Sequence, residues 1–180
     1  MSASNMKWIQ SPYFATGNPE TEEMTTLYAP GMLGCCAQFD QGGISGPPNV
    51  CEYQLVKQYT AIQGVVGSVF TWQTKSSYTV TNAALSGNVA GIGEIAAGTA
   101  ASYIWILKKG DRSVLFVDAP ASAPSTAGKP VVASDTTAGK ADCLALSETQ
   151  AAFPVLGTTL GTQDGTSKLA TVRVNIPDRY

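Results

Sequence analysis

From residue 51 onward, the sequence alternates between short segments rich in β-branched and aromatic residues and runs of Gly, Ser, Thr, Asn and Asp. The segments recur every ~10 to 15 residues, a spacing typical of all-β sandwiches and barrels. Beyond residue 30 no segment has a clear helical stripe of apolar residues, apart from the ambiguous stretch 146–153. We therefore predict an all-β fold, a small antiparallel β-barrel or β-sandwich. The predicted strands are 52–59, 67–73, 77–81, 89–95, 102–109, 112–118, 130–134, 141–146, 155–160 and 169–176.

Two segments give more specific predictions. The runs 103–109 and 112–117 flank Gly110–Asp111 and predict a β-hairpin, because glycine supplies the positive φ that a two-residue turn requires at its first position. The segment 169–176 alternates with period two, which predicts a strand with one apolar face and one solvated or partner-facing side. Its apolar face is Ala170, Val172, Val174 and Ile176, and its other face is Leu169, Thr171, Arg173 and Asn175.

Residues 1–50 differ in composition from the rest of the chain, since they hold five of the ten prolines and a Gly-Pro-rich run at 41–48. We predict an extended N-terminal arm at 1–50 and a β-rich domain at 51–180. One short helix is expected inside the arm, with Asn18 as N-cap, Pro19 at its first position and a stop at Pro30–Gly31. The arm carries several aromatic residues, which are rare in disordered tails. We therefore expect the arm to dock, either on its own domain or on a partner.

The composition excludes several classes of function. The 180 residues include no histidine, which removes Ser-His-Asp and Cys-His nucleophile pairs and histidine-ligated zinc. With 11 basic and 13 acidic residues and no basic cluster, we expect no binding to nucleic acid. The longest dense apolar run has five residues, 103–107, so we expect a soluble protein without membrane association. The N-terminal segment also lacks the pattern of a secretory signal. A charged fraction of only 13% favours burial of surface in an assembly.

The four cysteines, Cys35, Cys36, Cys51 and Cys143, contain no C-x-x-C spacing. Adjacent residues in an extended chain point to opposite faces, so Cys35 and Cys36 are poorly placed to share a metal. A disulfide from either of them to Cys51 remains open, although the missing export signal favours free thiols. We expect no metal and no cofactor.

Three other patterns were tested for chemistry. The sequence does not place the acidic side chains relative to one another, and positions in turns, loops and strand ends account for most of them. The glycine-rich segment 87–93 lacks the Lys-Ser/Thr of a phosphate-binding loop. We predict that the chain is not an enzyme. Aromatic residues in the predicted strands are expected to fill the core, with a sugar-stacking platform as the alternative. The acidic residues are Glu94, Asp111, Asp118, Asp135, Asp142 and Glu148, and the aromatic ones are Tyr53, Tyr59, Phe70, Trp72, Tyr78, Tyr103 and Trp105.

Residues 51–176 resemble the capsid decoration, or cement, proteins of tailed bacteriophages. The segments that carry the resemblance are YQLVK at 53–57, the run 65–72, VAGIG at 89–93, Ala97–Gly98 leading into YIWI at 103–106, AGKPVVA at 127–133 and VLGTTL at 155–160. The resemblance implies a small β module, commonly a homotrimer, on the outer surface of the virion capsid, where it bridges neighbouring major capsid protein subunits. The N-terminal arm lies outside the resemblance.

The leading hypothesis is therefore a viral structural protein that binds the outside of the phage head and stabilises it by linking major capsid protein subunits. Three weak arm contacts presented by one trimer would act together through avidity. The alternative hypothesis is a carbohydrate-binding or host-attachment module of a phage fibre, in which Trp72 and Trp105 would bind the sugar. The residues predicted to contact the capsid partner are Trp8, Tyr13, Phe14, Met24, Leu27, Tyr28 and Met32.

Overall fold

The chain folds almost entirely into β-strands. A computed structural model describes residues 7–10, 33–40, 49–59, 66–82, 88–95, 102–118, 120, 127–144 and 155–177. Its helical content within these ranges is one 3-10 turn, Lys75–Ser77. The strands are β1 (Lys7–Gln10), β2 (Cys36–Asp40), β3 (Val50–Gln58), β4 (Val69–Thr74), β5 (Thr79–Thr81), β6 (Val89–Gly93), β7 (Tyr103–Leu115), β8 (Pro130–Ala133), β9 (Ala141–Cys143), β10 (Val155–Thr159) and β11 (Leu169–Asn175).

Five strands close into a ring in the order β3-β5-β4-β6-β7, because β7 pairs with β6 and also with β3. We call this ring the small barrel. Its strand pairs are antiparallel except β3 with β5, which run parallel. The predicted small antiparallel β-barrel is therefore confirmed. A cluster of buried apolar residues fills the ring and draws on all five strands; it consists of Val56, Phe70, Val80, Ala90, Ile95, Ile104 and Ile106, with Trp72 packed against it.

The second half of β7 continues beyond the small barrel and pairs with β11 from Lys109 to Leu115. The sheet then proceeds through β10 and β8 to β9. β9 also contacts the end of β7. Phe116 and Ala141 form a parallel bridge, and the Val117 N–H donates to the Ala141 carbonyl at 3.0 Å. We call these strands, with the second half of β7, the outer sheet. Its inner face packs on a larger cluster that includes Val114, Phe116, Val131, Ala141, Leu156, Val172 and Val174.

The predicted hairpin at Gly110–Asp111 is wrong, because β7 runs without a turn through both residues. Its first half pairs with β3 and its second half with β11, so partners distant in the sequence replace the local pairing. Gly110 has the positive φ that the turn argument required, 135°. Here that conformation serves close packing, since a Cβ at this position would lie 2.5 Å from the Cys51 sulfur.

The alternation predicted for 169–176 is confirmed. Ala170, Val172, Val174 and Ile176 are buried, whereas Thr171, Arg173 and Asn175 are exposed. The other predicted strands from residue 52 onward are also present, with ends displaced by a few residues.

Within the predicted arm, the structure adds β1 and β2 to the sheet beside β3. Ala37 and Phe39 of β2 are each 2% exposed and belong to the larger apolar cluster. The predicted boundary between residues 50 and 51 lies inside β3. The helix predicted between Asn18 and Pro30 lies outside the described residues, and the division into arm and domain stays a prediction.

Candidate functional site

Of the residues predicted to contact a partner, Trp8 lies in β1, opposite Phe39 in the register with β2. This pairing places the backbone of Lys7–Gln10 on the chain's own sheet. The other six, Tyr13, Phe14, Met24, Leu27, Tyr28 and Met32, lie outside the described residues. The predicted contact set therefore stays a prediction.

Three of the seven aromatic residues of the predicted strands lie in the core as expected, Trp72 and Tyr103 are partly buried against it, and Tyr59 and Tyr78 are exposed. Tyr53, Phe70 and Trp105 are at most 3% exposed, so Trp105 cannot form part of a surface platform for sugar. That part of the alternative hypothesis is wrong, because the odd-numbered side chains of the first half of β7 face the larger apolar cluster. Trp72 is half-buried and lies beside Tyr78, which is 36% exposed. The rings of Trp72 and Tyr78 therefore remain candidates for a binding site on the surface.

The Trp72–Tyr78 pair lies at the turn between β4 and β5. The ring centroids are 6.2 Å apart and the ring planes meet at 67°, an edge-to-face contact. Tyr78 ends the 3-10 turn in the left-handed conformation, with φ 49° and ψ 37°, and its N–H donates to the Lys75 carbonyl at 3.0 Å. A bulky residue in this region is a conformational outlier. The Tyr78 ring fills the space that a Cβ on Gly34 would occupy, so glycine is required there.

Behind Trp72 lies a buried cation. The Lys108 side chain is part of a residue only 3% exposed; its Nζ donates to the Ala90 carbonyl at 2.7 Å and lies 5.8 Å from the centre of the Trp72 ring. The β3–β7 register shifts here, with Glu52 opposite Lys109 and Tyr53 opposite Leu107. This bulge leaves Lys108 out of the pairing, and bulges commonly redirect a side chain in this way. A lysine thus supports Trp72 from inside the protein.

Two buried glutamines on β3 add further polar groups to the small barrel. The Gln54 Nε2 donates to the Gly34 carbonyl at 3.2 Å, and the Gln58 Nε2 donates to the Ser102 hydroxyl at 2.8 Å. Their Oε1 atoms are buried and have no hydrogen-bond partner within the described part of the chain. The Gln54 bond fixes Gly34, the residue on which the Tyr78 ring packs.

An ion pair is buried where the small barrel meets the outer sheet. The Arg112 Nε lies 3.2 Å from Glu94 Oε1, with side-chain exposures of 17% and 6%. Burial raises the pKa of Glu94 to about 8 and lowers the pKa of Arg112 to about 10, since a low-dielectric environment opposes charge on both groups. Cys51 and Tyr53 face the same region, and burial raises the pKa of both groups, in Cys51 to about 12. Burial therefore favours the protonated acid at Glu94, Cys51 and Tyr53.

The solvent side of β7 and β11 forms a second candidate surface. In the register, Lys109 lies opposite Asn175, Asp111 opposite Arg173, and Ser113 opposite Thr171. Arg173 donates to Asp111 from Nε at 2.9 Å and from Nη2 at 3.0 Å, and Glu52 of β3 lies opposite Lys109. We call this surface the exposed sheet face; it consists of Glu52, Lys109, Asp111, Ser113, Thr171, Arg173 and Asn175. Each charge on it has an opposite charge across the strand pair.

All four cysteines are free thiols, so the disulfide alternative for Cys51 is wrong. Burial raises the pKa of Cys35 and Cys143 to about 11, which keeps both protonated at neutral pH. Within the described ranges, no group of three or more Cys, Asp or Glu residues is close enough to hold a metal ion. Nor does any helix in those ranges have the length and apolar character needed to cross a membrane.

Most of the acidic residues considered for catalysis have separate partners, although Glu94 and Asp111 both lie near Cys51. Glu94 pairs with Arg112, Asp111 with Arg173, and Asp118 with Lys140 at 3.5 Å. The Asp142 carboxylate accepts the N–H of Cys143 at 2.7 Å. Asp135 is exposed, and Glu148 lies outside the described residues.

No local sequence pattern predicts the contacts of Lys108 with Ala90, of Arg112 with Glu94, or of Tyr78 with Gly34, because the partners are distant in the chain. The one available clue was polar residues inside strands that otherwise read as apolar, such as Lys108 after Leu107. Comparison with known proteins assigns no family, since neither a protein-family model nor a curated protein matches this sequence.

Proposed function

We propose that this chain is a viral structural protein that binds the outside of a phage head and stabilises it by bridging major capsid protein subunits. In this proposal the protein acts as a homotrimer on the outer surface of the virion. It requires no catalytic residue, metal or cofactor.

The exposed sheet face is the observation that carries the proposal. Lys109, Thr171, Arg173 and Asn175 are exposed on strands whose opposite side is packed in the core, so the face has a rigid backing. Its charges are paired across strands, which leaves little net charge to oppose docking on another protein. Such a rigid, polar and nearly neutral surface suits a contact with a large, preassembled partner.

The N-terminal segment supports the same proposal. β1 joins the sheet beside β2, and most of the predicted contact residues follow Gln10 in the sequence. In the proposal, each protomer therefore brings a folded β module and one arm to the capsid. Three protomers in a trimer would bind with an avidity that exceeds the single-site affinity by roughly 10² to 10⁴.

Co-sedimentation with expanded heads of the phage that encodes this chain tests the proposal. Replacing Thr171 and Asn175 by Arg adds two unpaired charges to the exposed sheet face without touching the core, and we expect binding to fall about tenfold or more. Thr166→Arg is the matched control, because Thr166 lies on an exposed turn away from this face and its replacement should leave binding unchanged.

Removal of residues 1–32 tests the arm. This deletion keeps β2, whose Phe39 is buried, so we expect a folded protein that no longer coats heads. Native mass spectrometry of the free protein measures the expected trimer. Full coating by both the double-arginine variant and the truncated protein would refute the proposal.

A further inference from the structure

We propose that Trp72 and Tyr78 form a binding site for a neutral saccharide at the β4–β5 turn of the small barrel. The site lies on different residues from the exposed sheet face, so it does not depend on the proposed attachment to a phage head. It would give the protein a second activity, the binding of a neutral saccharide.

The first argument is the backbone of Tyr78. A tyrosine at φ 49° and ψ 37° is unfavourable, and glycine or asparagine would adopt this conformation more easily. Residues held in such conformations cluster at ligand sites, where the strain presents a particular side chain. Here the strained residue is a tyrosine with an exposed fraction of 36%. Because glycine or asparagine would form this turn more easily, the turn alone does not explain why tyrosine occupies position 78.

The second argument is how firmly the two rings are held. Gly34 leaves room for the Tyr78 ring, and the Gln54 side chain bonds to the Gly34 carbonyl. On the other side, Lys108 lies against Trp72 from within. The edge-to-face contact between the two rings, with planes at 67°, adds to this fixation. A preorganised site of this kind loses little conformational entropy when a ligand binds.

The third argument is the chemistry around the rings, which selects the ligand. The exposed residues next to them in sequence carry amide and hydroxyl groups, with Lys75 as the one charge in the segment 73–77. A sugar ring offers an apolar C–H face for an aromatic ring and hydroxyls for neighbouring polar groups. Aromatic stacking with a few polar contacts is a general way to bind such a molecule. The exposed polar residues are Gln73, Thr74, Ser76 and Ser77.

The test uses the full chain on an array of neutral oligosaccharides, including maltoheptaose, cellohexaose and chitotetraose, with sialyllactose as an acidic comparison. We expect at least one neutral saccharide to bind, with affinity measured by titration calorimetry. Trp72→Ala should weaken that binding about tenfold or more. Tyr59→Ala is the matched control, because Tyr59 is a more exposed tyrosine, 57%, outside the ring pair, and we expect unchanged affinity.

A second variant separates binding from folding. Tyr78→Asn removes the ring but suits the left-handed backbone, so we expect the thermal midpoint to hold while saccharide binding is lost. Head coating by this variant should remain normal, which distinguishes failure of this proposal from failure of the proposed function.

Three outcomes would overturn the inference. The first is no neutral saccharide bound on the array, and the second is full affinity in Tyr78→Asn or Trp72→Ala. The third is a concentration-dependent dimer, seen by sedimentation equilibrium and abolished by Trp72→Ala, without saccharide binding. That last result would assign the ring pair to contact between two copies of the chain.

Discussion

The small barrel and the outer sheet share β7 but are filled with different chemistry. Of the ten buried polar or charged residues in the described part of the chain, eight lie between Gln54 and Lys108, and two, Ser134 and Thr159, belong to the outer sheet and its connections. The interior of the outer sheet is otherwise made of Val, Ala, Leu, Phe and Ile side chains and the thiol of Cys143. The first half of β7 thus borders an interior in which buried polar groups accompany the apolar cluster, and its second half borders an almost wholly apolar one.

This difference separates two tasks. Burial of apolar area stabilises the fold without directional requirements, and the outer sheet offers a continuous core for it. A buried polar group costs free energy unless its hydrogen bonds are met. Lys108 therefore restricts the small barrel to arrangements in which its Nζ reaches an acceptor such as the Ala90 carbonyl, and the unpartnered Oε1 atoms of Gln54 and Gln58 lower stability. The strained Tyr78 and the half-buried Trp72 lie on the polar side. The small barrel, in which buried polar groups and the strained Tyr78 lower stability, is therefore the region where we place ligand binding.

The largest expected effect comes from matched phenylalanine substitutions in the two regions. Phe116 of the outer sheet is 0% exposed and Phe70 of the small barrel is 1% exposed. Phe116→Ala should lower the free energy of unfolding by about 3 to 5 kcal/mol, since it removes a ring from a continuous apolar core. Phe70→Ala should fall at the lower end of this range, because nearby polar groups can hydrate the space. Urea unfolding of both variants measures the difference, and a larger loss in Phe70→Ala would contradict the comparison.

Sequence patterns predicted the strands of the small barrel and the outer sheet better than β1 and β2. The strand at β11 was identified from strict alternation, because one of its faces is wholly apolar and the other polar. β1 and β2 were missed because prolines and glycines dominate residues 1–50, although Ala37 and Phe39 alternate with Gln38 and Asp40 in the expected way. A short strand joined to the sheet edge gives only two or three alternating positions, too few to stand out.

The candidate site could be predicted only in part. An aromatic residue in a strand has the same local pattern whether it is buried, as Trp105 is, or half-exposed, as Trp72 is. Which of the two occurs depends on the bulge in β7 and on strands far away in the sequence. The hairpin error at Gly110 has the same origin, since a glycine that packs against Cys51 looks like a turn glycine until its neighbours are known.

A second test uses the buried Glu94–Arg112 pair at the junction of the two regions. The carboxyl of Glu94 titrates near 4.5 in the unfolded chain and near 8 when folded. Between these values the folded state keeps a proton that the unfolded chain has released, so stability falls as the pH rises from about 5 to about 8. Glu94→Gln mimics the protonated acid and should flatten this dependence.

One pKa unit corresponds to about 1.4 kcal/mol, so the variant should gain at least about 1 kcal/mol relative to the original chain over this pH range. Urea unfolding at pH 5, 6.5 and 8 measures it. Glu52→Gln is the control, because it replaces a half-exposed carboxylate on β3. An equal pH dependence in the Glu94→Gln variant would show that the buried acid is not its source.

The smallest expected effect concerns the solvent-facing ion pair between Asp111 and Arg173. The hydrogen bonds from Arg173 lower the pKa of Asp111 below its usual 3.8. The stabilisation by this pair is therefore fully present above pH 3.8 and is lost as the pH falls below 3.8 and through the lower pKa of the folded state. Asp111→Asn should cost only about 0.2 to 1 kcal/mol at pH 7, because both side chains are substantially exposed. The cost should shrink in 1 M NaCl, where exposed charges are screened within about 3 Å. The pH dependence of Glu94 should persist in the same salt because that pair is buried. If salt removed both effects equally, the contrast between a protected junction and a solvated sheet face would fail.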